Sequence, residues 1–230
     1  MHALAIVHQR DAGPGVFAEE FASRGLQLDQ WQIGAREPAP GDPRDYDAVL
    51  TFGGAMNVED EADHPWLHFE TALLRGLLDR GVPLLGVCLG SQLLAAAASS
   101  EPKRSREPEI GWLPVEVTDE GAKDPVIGSL APRFTAFEWH SFEAPLPPGA
   151  VALAQSPVCL QAWRLERAWA IQFHAEVSAA DLDHWIDDYD TDPDAADLDV
   201  HRLAAETHER IEDWNQLGRD LCGRFIDAAG

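Results

Sequence analysis

The chain opens on a short apolar, β-prone run, "ALAIVH" (3–8), with the length of a buried strand. Pro14 follows and can open a helix through "GVFAEEFASRG", with Gly25 as its stop. "LQLDQWQI" (26–33) alternates apolar and polar positions, as a more exposed strand does. The Pro- and Gly-rich "GAREPAPGDPRD" reads as a loop. "YDAVLTFGG" is a strand ending in Gly53-Gly54, and "PWLHFETALLRGLLDRG" has helical periodicity closing on Gly81. "VPLLGV" is the next strand and "SQLLAAAA" the next helix. Strands alternating with helices imply a parallel sheet joined by crossover helices.

The middle changes character. "EIGWLPVEVT", "RFTAFEWHSFEA", "AVALAQS", "VCLQAWRL" and "AWAIQFHAE" read as strands joined by turns, an antiparallel extension of the parallel core. The preceding "AAAASSEPKRSREPE" is compositionally biased and is expected to be an exposed turn. From Ser178 the pattern is helical, broken by "DDYDTDPDAADLD". A last helix, about 195–228, carries Leu203, Ile211, Trp214, Leu217, Leu221 and Phe225 at helical spacing. The expected class is α/β: a three-layer sandwich with a mostly parallel central sheet, an antiparallel extension and C-terminal helices. Residues 1–186 form the main domain, and 187–230 an acidic linker and helix packed on it. No internal repeat is visible.

A chain of 230 residues can bury a sizeable core. Its 40 acidic and 17 basic residues give a formal net charge of -23, which repels nucleic-acid phosphates and anionic lipid. Neither nucleic acid nor membrane is therefore an expected partner. No run reaches the roughly 18 apolar residues of a membrane span, and the first residues lack the basic and apolar regions of an export signal. The three cysteines, Cys88, Cys159 and Cys222, are too few and too widely spaced for a disulfide or zinc framework. A cytoplasmic protein with reduced thiols is expected.

One cysteine stands apart. Gly86-Val87-Cys88-Leu89-Gly90 lies at a strand-to-helix junction, and G-x-C-x-G is the thiol form of the nucleophile elbow. Glycines let the chain turn sharply and let strand and helix approach. Cys88 would then stand at a helix N-terminus, whose positive end stabilises charge on sulfur. The Leu89 N–H, unpaired at a helix start, could donate to a developing oxyanion. A buried cysteine packed in a tight turn would read the same way.

Partners are in "AWAIQFHAE". His174 and Glu176 are two apart at a strand end, so imidazole and carboxylate can share a face. A carboxylate there fixes the tautomer of a catalytic base and supports its imidazolium form. A surface His-x-Glu pair without a role is the alternative. The glycine pair in "LTFGGAMN" ends a parallel strand, where α/β sheets bind ligands. Gly54 could supply a second oxyanion donor, or be an ordinary turn glycine.

Together, "GGAMN", "PLLGVCLGSQLLA", "EIGWLPVEV", "EWHSFEAPLPPGAVALAQS" and "AIQFHAEVS" resemble, in order, the class I (triad) glutamine amidotransferases, above all their free-standing GMP-synthetase-like glutaminase domains. The likeness spans about residues 3–178. It implies a flavodoxin-like fold and no cofactor or metal. It implies that Cys88 attacks the glutamine side-chain amide, that His174 moves the proton to departing ammonia, and that Glu176 orients His174. The N–H groups of Gly54 and Leu89 would form the oxyanion hole. Gly53, Gln92, His140 and Ser141 fall where the family contacts substrate. The family usually has His-Pro-Glu, whereas this chain has His174-Ala175-Glu176. Ala55-Met56 follows the glycine pair where many synthetase-linked domains have proline, and the glycine common after the elbow helix is missing.

The implied partners are glutamine or a γ-glutamyl compound and an ammonia-accepting synthase subunit, not encoded in these residues. Three functions stay open: a glutaminase, a γ-glutamyl peptidase or hydrolase, and a non-catalytic regulatory module. The oligomeric state is not legible. Two other features point elsewhere. Asp188 to Asp199 places acids at EF-hand spacing, but Pro193 replaces the turn glycine and the last acid is a short Asp, so a solvated linker is expected. His64 and His68 are spaced to share a helix face but have no third ligand. Cys159, in a strand reading, and Cys222 are expected in the core, and Trp139 near the site because it precedes His140.

Overall fold

The computed structural model describes residues 1–187 and 189–230. Its strands are β1 (His2–Val7), β2 (Gln27–Gln32), β3 (Ala48–Thr51), β4 (Leu84–Val87), β5 (Lys103–Val117), β6 (Arg133–Glu143), β7 (Val151–Gln155), β8 (Leu160–Leu165) and β9 (Ala168–Ile171). Its helices are α1 (Gly15–Ser23), α2 (Trp66–Asp79), α3 (Leu89–Ala97), α4 (Ala179–Asp187) and α5 (Val200–Ala229). The strands form one sheet in the order β2-β1-β3-β4-β9-β8-β7-β5-β6. Pairing is parallel from β2 through β9 and antiparallel from β9 to β6.

Period-two side-chain alternation divides the core into two layers. In β1, Ala3, Ala5 and Val7 face a cluster containing Phe17 and Phe21 of α1 and Trp214, Leu221 and Phe225 of α5. Leu4 and Ile6 face the opposite cluster, with Leu67, Leu74 and Leu77 of α2 and Leu93 and Leu94 of α3. The central strands are buried on both faces, which is why they read as continuous apolar runs. The result is a flavodoxin-like three-layer sandwich with an antiparallel extension.

Two elements differ from the sequence pattern. The pattern groups β9 with the antiparallel strands. In the structure β9 pairs parallel to β4 on one edge and antiparallel to β8 on the other, so it is the seam between the halves. Periodicity cannot report strand direction. The biased stretch before "EIGW" is not wholly a turn, because β5 starts at Lys103 and Arg104 pairs with Phe142. Its polar residues form an exposed strand end, interrupted by an irregularity between Arg104 and Glu109.

The last helix starts at Val200, with the Asp199 side chain accepting from the Arg202 N–H at 3.1 Å as its N-cap. Gly218 lets α5 lie directly on the chain after β9: a Cβ there would sit 2.0 Å from the Ala175 carbonyl oxygen. Among the described residues, no helix is long and apolar enough to cross a membrane.

Candidate active site

Cys88 occupies the corner between β4 and α3 with φ 51° and ψ -112°. Positive φ is unfavourable for a residue with a Cβ, at a cost of order ~1–3 kcal/mol. The surroundings hold it there. The Cys88 N–H donates to the Ile171 carbonyl and the Gly90 N–H to the Phe52 carbonyl, both at 2.9 Å. A Cβ on Gly90 would lie 2.2 Å from the Thr51 carbonyl oxygen, and one on Gly86 2.7 Å from that of Gly90. The two glycines of the motif are thus required by backbone approach, and they fix the bend that carries the thiol.

His174 and Glu176 follow β9. Strand pairing ends at Ile171, so the expected strand-face geometry does not apply. The pair still forms within an irregular segment: His174 Nδ1 lies 2.7 Å from Glu176 Oε1, and both residues are buried. Nδ1 is thereby engaged, and Nε2 is the nitrogen left for sulfur. The imidazole and the Cys88 side chain meet over Gly53, and the thiol itself points to the Trp139 carbonyl at 3.9 Å. Burial disfavours a charge on His174, but the Glu176 carboxylate and the Cys88 sulfur outweigh it, and its pKa is raised well above the usual histidine value.

The chain around this pair is pinned from outside. Trp214 Nε1 donates to the His174 carbonyl at 2.8 Å, and Asn215 Nδ2 to the Val177 carbonyl at 2.7 Å. The Glu176 carbonyl accepts the Val16 N–H at 2.8 Å at the start of α1. The Trp185 ring meets the His174 ring edge-on at 4.9 Å.

Gly53 lies under the imidazole; a Cβ there would stand 3.0 Å from His174 Cε1 and 3.7 Å from Cys88 Cβ. Its carbonyl accepts from His8 Nδ1 at 3.0 Å. His8 Nε2 is held by Glu70 at 2.8 Å, and Glu70 also accepts from Thr51 Oγ1 at 2.6 Å. Sequence reasoning does not find this buried chain from α2 to the glycine pair. The available signal is a carboxylate on the apolar stripe of α2, between Leu67 and Leu74.

A cavity of about 510 Å³ opens over Cys88. Gly54, Leu89, Gln92, His140 and Ser141 all line it, as does Trp139. Gln92 commits its amide nitrogen to the wall, donating to the Phe142 carbonyl at 3.1 Å and to Gln172 Oε1 at 3.2 Å. His140 also turns its nitrogens inward. Nδ1 lies 3.0 Å from the Phe142 carbonyl, and Nε2 lies 3.4 Å from Glu109 and 3.3 Å from Glu138. Those two contacts are ionic rather than aligned hydrogen bonds, since Nε2 has no hydrogen-bond partner. Burial opposes a charge on His140, but the two carboxylates raise its pKa to about 10. Burial raises that of Glu138 above its ordinary value, against the opposing pull of His140.

Glu109, His140 and Cys159 bring three metal-ligating atoms within 4.8 Å of one another. The contacts fit protons better than a cation. Glu109 Oε2 already accepts from Ser156 Oγ at 3.0 Å, Gln161 Nε2 at 2.9 Å and the Cys159 thiol at 3.3 Å. Burial, reinforced by Glu109, pushes that thiol far above its ordinary range. Cys159 is buried, just before β8, in this polar cluster; Cys222 is in the apolar core. His64 and His68 do not share a helix face, because α2 begins at Trp66 and the His68 side chain is 80% exposed.

The acidic stretch begins at Asp188, which lies outside the described residues. Part of it is docked on the site, while Asp197 and Asp199 stay exposed, as in a solvated linker. Asp192 accepts from Trp139 Nε1 at 2.8 Å and Asp194 pairs with Arg104, so both form part of the cavity wall.

A cysteine at positive φ at a helix start, an imidazole–carboxylate pair and a cavity thus lie at the carboxyl ends of the parallel strands of an α/β protein with helices on both faces of its sheet. The chain belongs to the class-I glutamine amidotransferase family, whose model matches residues 16–187. It is 33% identical over 142 residues to a subunit of glutamine-hydrolysing GMP synthase from Ignicoccus hospitalis, covering 60% of this chain and 71% of that protein. It is 30% identical over 146 residues to a γ-glutamyl-L-1-hydroxyisopropylamide hydrolase of Pseudomonas sp, covering 59% and 49%. The crystal structure of a glutamine amidotransferase from Thermotoga maritima superposes with a TM-score of 0.89 at 27% identity, covering 99% of this chain and 98% of that one.

Proposed function

We propose that the protein is a glutaminase that cleaves the side-chain amide of glutamine through a Cys88 thioester. The observation that carries this reading is that Cys88, held at positive φ, and His174 line one cavity, with Glu176 buried behind the imidazole on Nδ1. The Cys88 sulfur adds to the γ-carbonyl carbon. Negative charge develops on the carbonyl oxygen, where the N–H groups of Gly54 and Leu89 are the assigned donors. His174, whose raised pKa lets it carry the sulfur's proton, donates that proton as the C–N bond breaks. Ammonia leaves and a γ-glutamyl thioester remains. Water then adds to the thioester carbon as His174 takes its proton, the C–S bond breaks, and glutamate departs as the imidazolium returns that proton to the Cys88 sulfur. Glu176 holds the imidazole in position throughout. No cofactor or metal enters this scheme.

The ammonia acceptor on this reading is a partner synthase, because the Ignicoccus relative is named as one subunit of such an enzyme. A second reading keeps the thioester and changes the leaving group to a larger amine. The likeness to the γ-glutamyl amide hydrolase favours it, and so does the size of the cavity, which lies in the ~300–1,000 Å³ range of sites for larger small molecules. Incubation with glutamine and with γ-glutamyl amides and dipeptides, with glutamate and ammonia measured together, separates the two. Glutamine turnover with equimolar ammonia supports the first. Selective release of a larger amine supports the second. No turnover of any of them, with or without candidate synthases, refutes both and leaves a non-catalytic module.

A further inference from the structure

Glutamine and every γ-glutamyl amide share one head group, a free α-carboxylate beside an α-ammonium. The protein carries a net charge of -23, and Asp11, Asp192 and Asp194 line the cavity. An entering carboxylate meets repulsion unless a cation is placed for it. Among the described residues lining the cavity, Arg104 is the one arginine or lysine. The two histidines there are committed: His174 to Glu176 and Cys88, His140 to the Phe142 carbonyl and two glutamates.

The geometry points to Arg104 as the anchor for the substrate's α-carboxylate, held in place by Asp194 from the acidic extension. The proposal rests on the γ-glutamyl reading of the site. Arg104 pairs in register with Phe142, and its guanidinium carbon lies 6.0 Å from the Phe142 ring centroid. The Phe142 carbonyl in turn receives Gln92 from α3, so Arg104 is fixed to the same wall that adjoins the elbow. The ion pair with Asp194 uses Nη2. A guanidinium is a planar fork of five donors, so one carboxylate can hold it while a second binds another edge. Asp194 comes from the turn Pro193–Ala195, which Asp192 caps by accepting the Asp194 N–H at 2.9 Å. Asp192 is itself fixed by Trp139. The extension thus aims the guanidinium and forms part of the cavity wall.

The irregular start of β5 also acquires a purpose. The break in pairing between Arg104 and Glu109 separates the exposed strand end from the regular ladder. It lets Arg104 meet the acidic extension while Glu109 turns into the buried cluster at His140.

The test uses full-length Cys88→Ala protein, which binds without turnover. Calorimetry compares glutamine with its α-carboxamide, which lacks the carboxylate charge. Glutamine should bind more tightly by about tenfold or more, the range of a charge-assisted hydrogen-bonded pair. Adding Arg104→Gln should bring the two affinities together, and Arg104→Lys should restore part of the difference. Asp194→Asn should shrink the difference without abolishing it, which a merely structural role would not do. The Arg104 side chain is 57% exposed, so the fold should survive, as thermal unfolding would verify. An undiminished preference for glutamine in the Arg104→Gln protein overturns the anchor alone. Failure of the Cys88→Ala protein to bind glutamine or any γ-glutamyl amide overturns the γ-glutamyl reading and the anchor with it.

Discussion

The Trp214 indole donates from Nε1 to the main-chain carbonyl of His174 at 2.8 Å, joining the C-terminal helix to the imidazole facing Cys88. Both residues are buried, so the carbonyl has no easy recourse to water. Trp214→Phe keeps an aromatic ring and removes the donor. An unsatisfied buried acceptor costs about 1–3 kcal/mol. The melting temperature should fall, and turnover should fall with it because His174 loses its backbone anchor. Unchanged kcat in a destabilised Trp214→Phe protein would show that α5 supports the fold but not the site.

Glu176→Gln should leave the imidazole in place and remove the charge that supports it. A loss in kcat of about 10²–10⁴ is expected, the usual range for a compromised general acid–base pair. The direction in pH is also fixed. Burial alone lowers the His174 pKa, and Glu176 is the first of the groups that raise it. Without the carboxylate the imidazolium loses its proton at lower pH. The alkaline limb of kcat/KM, where the acid form is lost, should move down in pH relative to the parent protein.

Gly90→Ala probes the elbow without touching its chemistry. The added methyl would stand 2.2 Å from the Thr51 carbonyl oxygen, which is backbone and cannot rotate away. Either α3 shifts off β3 or the chain fails to fold. Lower soluble yield, or a lower melting temperature with slower alkylation of Cys88, is the expected result. Wild-type stability and reactivity would mean that the close approach is not needed.

The His8–Glu70 pair gives a pH dependence of stability. Burial lowers the His8 pKa, but Glu70 and the carbonyls of Gly53 and Phe52 outweigh it, and the net shift is upward. A group whose folded pKa is raised stabilises fully below its unfolded value, near 6.5, and loses that contribution as pH rises through the folded value. His8→Gln should therefore be most destabilising in mildly acidic solution, with the gap to the parent narrowing as pH rises. Paired melting curves from about pH 6 upward check it; a gap that widens with pH contradicts the assignment.

Much of the molecule is legible in the order of residues. The apolar runs of β1, β3 and β4 mark strands buried on both faces, and Gly25 and Gly81 stop the helices before them with φ of 66° and 68°. Gly86 and Gly90 around Cys88 mark the elbow because a bend of that kind excludes side chains. The spacing of His174 and Glu176 marks their pairing, although the backbone between them is not the strand that the spacing suggests. These are local signals, set within a few residues by sterics and periodicity.

What the pattern could not carry was distance along the chain. β9 joins β4 because main-chain pairing is indifferent to side-chain alternation, so nothing in "AWAIQFHAE" says which edge it takes. Trp214 reads as one more apolar position on an amphipathic helix; only packing against the chain after β9 turns its polar edge toward His174. Glu70 and His8 are 62 residues apart, and Arg104 and Asp194 are 90 apart. Their pairing depends on sheet order and on where α5 directs the acidic extension. Local sterics and spacing settle the corner that holds Cys88 and the His174–Glu176 pair. Which distant groups hold that corner still, and which charges surround its cavity, follows from the packing of the whole chain, because burial and long-range contact exist only once the layers have closed.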